Sequence, residues 1–193
     1  MSTATATVRP GAVLADLLPA SRVRDAALVL GGAALTGLAA QLSVPVPHSP
    51  VPVTGQTFAA LLVGTTLGAR RGFLSLALYA VAGVVGVPWF ADGASGSGAV
   101  SFGYVLGMVL ASAAVGALAR RGVDRSPLRM AGTMILGEAI IYAVGVPYLA
   151  LAAHLSASQA VAAGLTPFLI GDALKAALAM GALPAAWKFV SKR

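Results

Sequence analysis

Apolar runs closed by basic residues at alternate ends constrain this chain more than any other feature. Six runs stand out, at residues 26–42, 56–69, 72–87, 101–119, 130–146 and 167–190. Twelve of the thirteen Lys and Arg residues fall at one set of ends. Arg9, Arg22 and Arg24 precede the first run, and Arg70 and Arg71 separate the second from the third. Arg120, Arg121, Arg125 and Arg129 separate the fourth from the fifth, and Lys188, Lys192 and Arg193 close the sixth. The loops after the first, third and fifth runs carry no Lys or Arg. Because basic residues are retained in cytoplasmic loops, this alternation predicts six transmembrane helices with N and C termini cytoplasmic. The expected fold class is an all-α membrane protein, multi-pass in the plasma membrane, with the lipid bilayer as its surroundings.

Composition excludes several other classes. With 58% hydrophobic and 10% charged residues and a mean hydropathy of +0.88, the chain lies far outside soluble norms. Its net charge of +7 is dispersed over short loops and ends, with no basic run interleaved with aromatics, so no nucleic-acid partner is expected. There is no cysteine, and two histidines far apart in sequence give no metal site. No G-x-x-x-x-G-K-[ST] loop is present, so the chain is not expected to hydrolyse ATP by that route.

The expected organisation is a mobile cytoplasmic tail at residues 1–24, with a short interfacial helix around residues 13–18, followed by one bundle at residues 25–193. The loop at residues 43–55 holds four prolines and must run extended or turning. It is a candidate lid on the outer side. Several runs fall short of the ~20 residues that cross a bilayer. Twenty-three glycines favour close helix contacts that would compensate. The fifth run should stop at Pro147. Ser156-Ala-Ser-Gln159 has capping-box spacing and predicts a short surface helix closing near Gly164.

The chemistry collects at the ends without arginine. Lys175 is the one basic residue inside an apolar run, three positions after Asp172, so the two share a helix face. Intramembrane charges of this kind pair and mark a substrate path. A carboxylate beside an ammonium can hold a neutral head carrying both N–H and C=O groups, or a ligand carboxylate. Gln56 adds an amide, and Trp89 and Phe90 add an apolar wall beside Asp92 and Gly93. Tyr142 lies four residues after a second intramembrane carboxylate, Glu138. Glu138 has two readings, packing or helper contact and a role in coupling, and the sequence does not separate them.

Four segments together resemble the BioY family, the biotin-specific S components of energy-coupling-factor vitamin transporters. They are Pro52-Val-Thr-Gly-Gln56-Thr57, Gly86-Val-Pro-Trp-Phe-Ala-Asp-Gly93, Gly103-Tyr104-Val-Leu-Gly107 and Pro167-Phe-Leu-Ile-Gly-Asp172-Ala-Leu-Lys175. The resemblance implies a six-helix protein that captures biotin on the outer side. It also implies a transmembrane coupling subunit and two ATPase subunits as partners, and no enzymatic activity or cofactor. The implied substrate-binding set is Gln56, Trp89, Phe90, Asp92, Gly93, Tyr104, Tyr142, Asp172 and Lys175. Asp172 would accept from the ureido N–H groups, and Lys175 would donate to the ureido oxygen or to the tail carboxylate. Asp92 stands where Asn or Gly is expected; ionised, it would repel that carboxylate. S components commonly carry Ala-x-x-x-Ala on the first helix for docking the coupling subunit. Here Ala27-x-x-x-Gly31 and Ala33-x-x-x-Gly37 take that place, and either ridge would allow close approach.

Three rivals share parts of the pattern. Six spans and Gly93-Ala-Ser95-Gly96 fit a rhomboid-type intramembrane serine protease, but no histidine lies on the sixth run to serve as base. A membrane scaffold explains the composition but leaves Gln56, Asp172 and Lys175 without a task. An S component for another vitamin shares the bundle and differs in its pocket.

Overall fold

The computed structural model describes residues 11–47 and 49–190. Helix α1 (Arg22–Ala40) leads into a two-stranded hairpin, β1 (Ser43–Val44) and β2 (Val53–Thr54). Then follow α2 (Gln56–Leu67), α3 (Ala69–Val84), α4 (Phe102–Ala119), α5 (Pro127–Ala152), the short α6 (Ala157–Gly164) and α7 (Leu169–Val190). The spans Arg22–Ala40, Phe102–Ala119, Pro127–Ala152 and Ala157–Val190 are each long and apolar enough to cross a membrane. Two other helices are shorter, α2 with 12 residues and α3 with 16. Large apolar side chains stand exposed on the flanks, Leu38 at 70%, Leu151 at 78% and Ile170 at 82% among them. A water-facing surface would not carry so many, whereas lipid covers them at no cost.

Glycine sets how closely the helices approach. Gly68 alone joins α2 to α3, at φ 84° and ψ 169°, a region essentially closed to residues with a Cβ. At the same junction a Cβ on Gly116 of α4 would lie 2.5 Å from the Ala69 nitrogen and 2.7 Å from the Gly64 carbonyl oxygen. Backbone therefore meets backbone where α2, α3 and α4 converge. Helix α4 is the centre of the bundle and buries ten of its 18 residues.

Two expectations change at the ends of the helices. The fifth run does not stop at Pro147; α5 continues to Ala152. Proline in a membrane helix is tolerated where neighbours hold the freed backbone. Here packing grips α5 on both sides of it, with Gly145 against the Tyr104 ring and Tyr148 against Gly103. The second change lies before α1. A single 3-10 turn, Leu14–Leu17, replaces the interfacial helix, and Val13 beside it is fully buried. Helix α1 begins at Arg22, capped by the Ser21 hydroxyl accepting the Arg24 N–H at 3.0 Å, so the helix takes in Arg22 and Arg24. The capping box at Ser156 and Gln159 forms as the spacing predicts and opens α6.

Charge is concentrated at one end of the bundle. Asp16 accepts from Arg71 at 2.8 Å, and Asp25 pairs with Arg24 at 2.7 Å and Arg71 at 3.1 Å. Buried Asp124, between α4 and α5, accepts from the Trp187 indole N–H at 2.5 Å, and Arg125 stacks over that ring at 4.4 Å. These contacts pin the end of α7 to the α4–α5 connection.

Candidate substrate-binding site

The end of the bundle opposite the arginines holds a small cavity of ≈ 50 Å³. Its position follows from the chain path. The hairpin closes on Ser43 paired with Thr54 and Val44 with Val53, which delivers Gln56 and Thr57 in the first turn of α2. Helix α4 enters from the same end with Tyr104, Val105 and Met108, α5 presents Ile141 and Tyr142, and the first turns of α7 bring Asp172 and Lys175. Val51 and Pro52, from the proline-rich segment, form part of the wall, and Val51 is only 6% exposed.

Three helices meet through one polar chain across this cavity. Lys175 Nζ donates to Asp172 Oδ1 at 3.0 Å and to Thr57 Oγ1 at 2.9 Å. The Tyr142 hydroxyl donates to Asp172 Oδ2. The Asp172 and Lys175 side chains are 11% and 13% exposed, so the pair is largely removed from water but compensated on both members. Lys175 has a third donor hydrogen and Asp172 spare lone pairs. Gln56, 5% exposed, lines the cavity and its amide hydrogen-bonds to no described residue. Acceptors, donors and an amide unpaired among the described residues thus converge within walls made largely of Phe90, Phe102, Met108 and Phe168. An apolar pocket with a few convergent polar groups is the usual form of a small-molecule site.

The structure divides the residues expected from sequence. Gln56, Phe90, Tyr104, Tyr142, Asp172 and Lys175 all line the cavity. Tyr104 does so with its ring, because its hydroxyl already donates to the Gly164 carbonyl at 2.7 Å. Trp89, Asp92 and Gly93 are not brought to the cavity. Trp89 turns inward against Tyr79, with ring centroids 5.1 Å apart, and donates its indole N–H to the Tyr79 carbonyl at 3.0 Å. Asp92 and Gly93 are exposed in a turn, at φ 58° and φ 70°; the short polar side chain of Asp tolerates that left-handed conformation. Thr57 is the polar contact that sequence reasoning passed over, although it sits beside Gln56 in the same motif.

Glu138 lies one turn before Tyr142 and does not line the cavity. It faces a larger apolar groove of ≈ 840 Å³ between α5 and α7, whose wall it shares with Asp172 and Tyr142. It is 7% exposed and neither carboxyl oxygen has a hydrogen-bond partner among the described residues. The two small-residue ridges on α1 separate as well. A Cβ at Gly37 would meet the Trp89 ring at 3.0 Å, and Ala33 is 1% exposed, so that ridge is covered by the chain's own residues. Ala27 and Gly31 are exposed, with nothing within 4 Å of a Cβ at Gly31.

Residues 9–192 match the family model described as BioY family. The chain belongs to the BioY family. The probable biotin transporter BioY of Pyrococcus horikoshii is 35% identical over 159 residues, covering 82% of this chain and 93% of that protein. Biotin transporter BioY2 of Lactococcus lactis is 34% identical over 154 residues, covering 78% and 83%. The solved S-component for biotin from an ECF-type ABC transporter superposes with a TM-score of 0.78 at 19% identity, over 88% of this chain and 95% of that one. At that identity the likeness speaks for the fold. Of the four BioY segments, three put side chains on the cavity wall through residues at their core, and the Gly86–Gly93 segment contributes Phe90 and Ala91. Ser95, the nucleophile of the protease reading, is exposed and makes no hydrogen bond to a described residue. His48 lies outside the described residues.

Proposed function

We propose that this chain is the biotin-binding membrane subunit of an energy-coupling-factor type transporter, and not an enzyme. The observation that carries the reading is the Tyr142–Asp172–Lys175–Thr57 chain beside the unused Gln56 amide, set in apolar walls, in a member of the BioY family. Biotin presents two ureido N–H donors, a ureido oxygen, a thioether ring and a carboxylated tail. Asp172 accepts from the ureido N–H groups, the free Lys175 hydrogen meets the ureido oxygen or the carboxylate, and the aromatic walls take the ring. Asp92, exposed and outside the cavity, is not part of this set.

The orientation follows from the two ends of the bundle. The arginines at the start of α1, the α2–α3 junction and the α4–α5 connection all lie at the end away from the cavity. Under the positive-inside rule that end is cytoplasmic, with both termini, and the cavity opens outward from the plasma membrane. Six passes result when α2 and α3 are included; at 12 and 16 residues they reach about 18 Å and 24 Å, short of a core ~30 Å thick. Flanking segments and local thinning of the bilayer cover the difference.

A cavity of ≈ 50 Å³ holds at most a few waters, so a bicyclic ligand enters only if a wall moves. The proline-rich segment between β1 and β2 is that wall and acts as a lid. It is fastened by Ser49, whose hydroxyl lies 2.7 Å from the Ala163 carbonyl oxygen at the end of α6. Closure over the ligand excludes water and strengthens every polar contact inside. With no ATP-binding loop of its own, the chain draws energy from two partner ATPases through a transmembrane coupling subunit, which docks on the Ala27–Gly31 ridge.

The test is calorimetric titration of biotin, thiamine and riboflavin into the detergent-solubilised protein. Tight one-to-one binding of biotin alone is expected. A folded protein that ignores biotin, or that prefers another vitamin, overturns the ligand.

A further inference from the structure

At the arginine end a second cavity, of ≈ 740 Å³, lies between the first turns of α1 and α3. Arg22, Arg70, Arg71 and Arg120 line it around a single carboxylate, Asp25. Two of these arginines are already engaged. Arg71 is held by Asp16 and Asp25, and Arg120 lies 3.8 Å from Asp16 and donates to the Gly11 carbonyl at 3.3 Å. Arg22 and Arg70 are exposed and make no hydrogen bond or ion pair with any described residue. Their guanidinium groups therefore face the cavity with donors that no described residue uses. Helices α1 and α3 start here while α2 and α4 end beside them, so the helix ends largely offset one another and the positive excess is that of the arginines.

The cavity is not polar throughout. Away from the arginines its walls become Ala26, Val29 and Leu74, and Leu74 is 43% exposed on the flank. An inorganic anion would satisfy the arginines and leave this apolar strip bare. A molecule with an anionic head and an alkyl chain fits both halves.

We propose that the α1–α3 groove binds an anionic phospholipid, its phosphate held by Arg22 and Arg70 and its chain lying along Val29 and Leu74. The site rests on the reading that this end of the bundle meets a membrane surface. It is separate from the substrate cavity and from the Ala27–Gly31 ridge, since Gly31 lies nine residues after Arg22 and so on the opposite face of α1. Asp16 and Asp25 hold Arg71 in the floor of the groove, and the two outer arginines supply the selectivity.

Native mass spectrometry of the purified protein, released from micelles holding equal phosphatidylglycerol and phosphatidylcholine, tests this directly. Wild type should retain phosphatidylglycerol over phosphatidylcholine. The preference should fall about fivefold for each arginine replaced and about thirtyfold in Arg22→Gln/Arg70→Gln. Equal retention of the two lipids, or an undiminished preference in the double variant, overturns the site. Complete displacement of phosphatidylglycerol by millimolar inorganic phosphate also overturns it, by making the groove a simple anion site. Biotin titration of the same samples keeps the two readings apart. Normal biotin binding without lipid selectivity defeats only the lipid site, and lipid selectivity without biotin binding defeats only the ligand.

Discussion

Replacing Asp172 by Asn separates the two tasks this carboxylate performs. The side chain accepts from Lys175 on one oxygen and from Tyr142 on the other. Asn keeps the shape and one acceptor oxygen. That oxygen will turn toward Lys175, and the Tyr142 hydroxyl can rotate to accept from the new NH2. Packing and hydrogen-bond count therefore survive, while the negative charge does not. Lys175, only 13% exposed, keeps Thr57 but loses its hydrogen-bonded carboxylate, and the buried Glu138 carboxyl is the acid left within electrostatic reach. Breaking a fully buried pair costs about 3–5 kcal/mol. With Thr57 retained and some solvent contact, about 2–3 kcal/mol of stability is the expected loss. For the ligand, an anionic acceptor is exchanged for a neutral amide, and a hydrogen bond to a charged group is worth about 1.5–3 kcal/mol. Biotin affinity should drop by roughly thirtyfold or more.

A second substitution tells these effects apart. In Asp172→Asn/Lys175→Met the stranded ammonium is gone, and an apolar side chain of similar length fills its place. Replacing a buried ion pair by apolar groups is often neutral or stabilising. The double variant should regain most of the thermal stability that Asp172→Asn loses, yet bind biotin no better. Melting temperature in detergent and calorimetric affinity, measured on wild type and both variants, give the two readouts. Wild-type affinity in a folded Asp172→Asn protein would refute the placement of the ligand. A double variant less stable than Asp172→Asn would refute the account of Lys175 as a stranded charge.

Three further outcomes follow from contacts elsewhere in the chain. Ser49→Ala removes the tie from the lid to α6 and should speed biotin release about five- to tenfold, the worth of one net hydrogen bond; unchanged dissociation of labelled biotin would count against the lid. Gly31→Leu enters open space, so biotin binding and melting temperature should stay as in wild type while co-purification with the coupling subunit is lost. If the complex forms normally, docking uses another face. Asp16 supplies a pH dependence. Burial raises its pKa, but the Arg71 and Val13 hydrogen bonds and the Arg71 and Arg120 charges outweigh that and hold it below 3.8. A lowered folded-state value stabilises above the unfolded pKa and loses that contribution as pH falls through the folded one. Melting temperature should therefore decline below about pH 4 more steeply in wild type than in Asp16→Asn, and parallel acid limbs would refute the linkage.

What the sequence made legible, and what it hid, has a physical pattern. Asp172, Lys175 and Gln56 were readable because a polar group in an apolar run has few explanations other than a partner or a ligand. Trp89 and Phe90 were not separable, because adjacent aromatics in a loop point in different directions and composition does not say which meets the cavity. Phe90 lines it, while Trp89 fills the space over Gly37. The two ridges on α1 have the same four-residue spacing, and only the rotation of the helix decides that Ala33 and Gly37 turn inward. Pro147 marked a stop by local rule, but packing on both of its sides overrode the rule. The groove that Glu138 faces depends on how far α5 and α7 stand apart, a distance no single run contains.

That separation also shows how the site is held. Helix α4 packs against glycine backbone over much of its length and is fixed. Helix α7 buries Ala179, Leu183, Pro184 and Trp187, all from its midpoint onward, where Trp187 is tied to Asp124. Its first half, which carries Asp172 and Lys175, borders the open groove and is joined to the bundle at the site through Tyr142 and Thr57. The polar chain is thus both the recognition chemistry and a main attachment of a weakly packed helix end. Elements with few buried contacts are the ones that move at low cost. A ligand that bridges Asp172 and Lys175 to Gln56 on α2 adds attachments at that spot. Binding should therefore draw the start of α7 toward the rigid α2–α4 core and slow amide hydrogen exchange there more than in α4. Equal protection of both helices on adding biotin would show that α7 is already fixed and that the groove is no measure of its freedom.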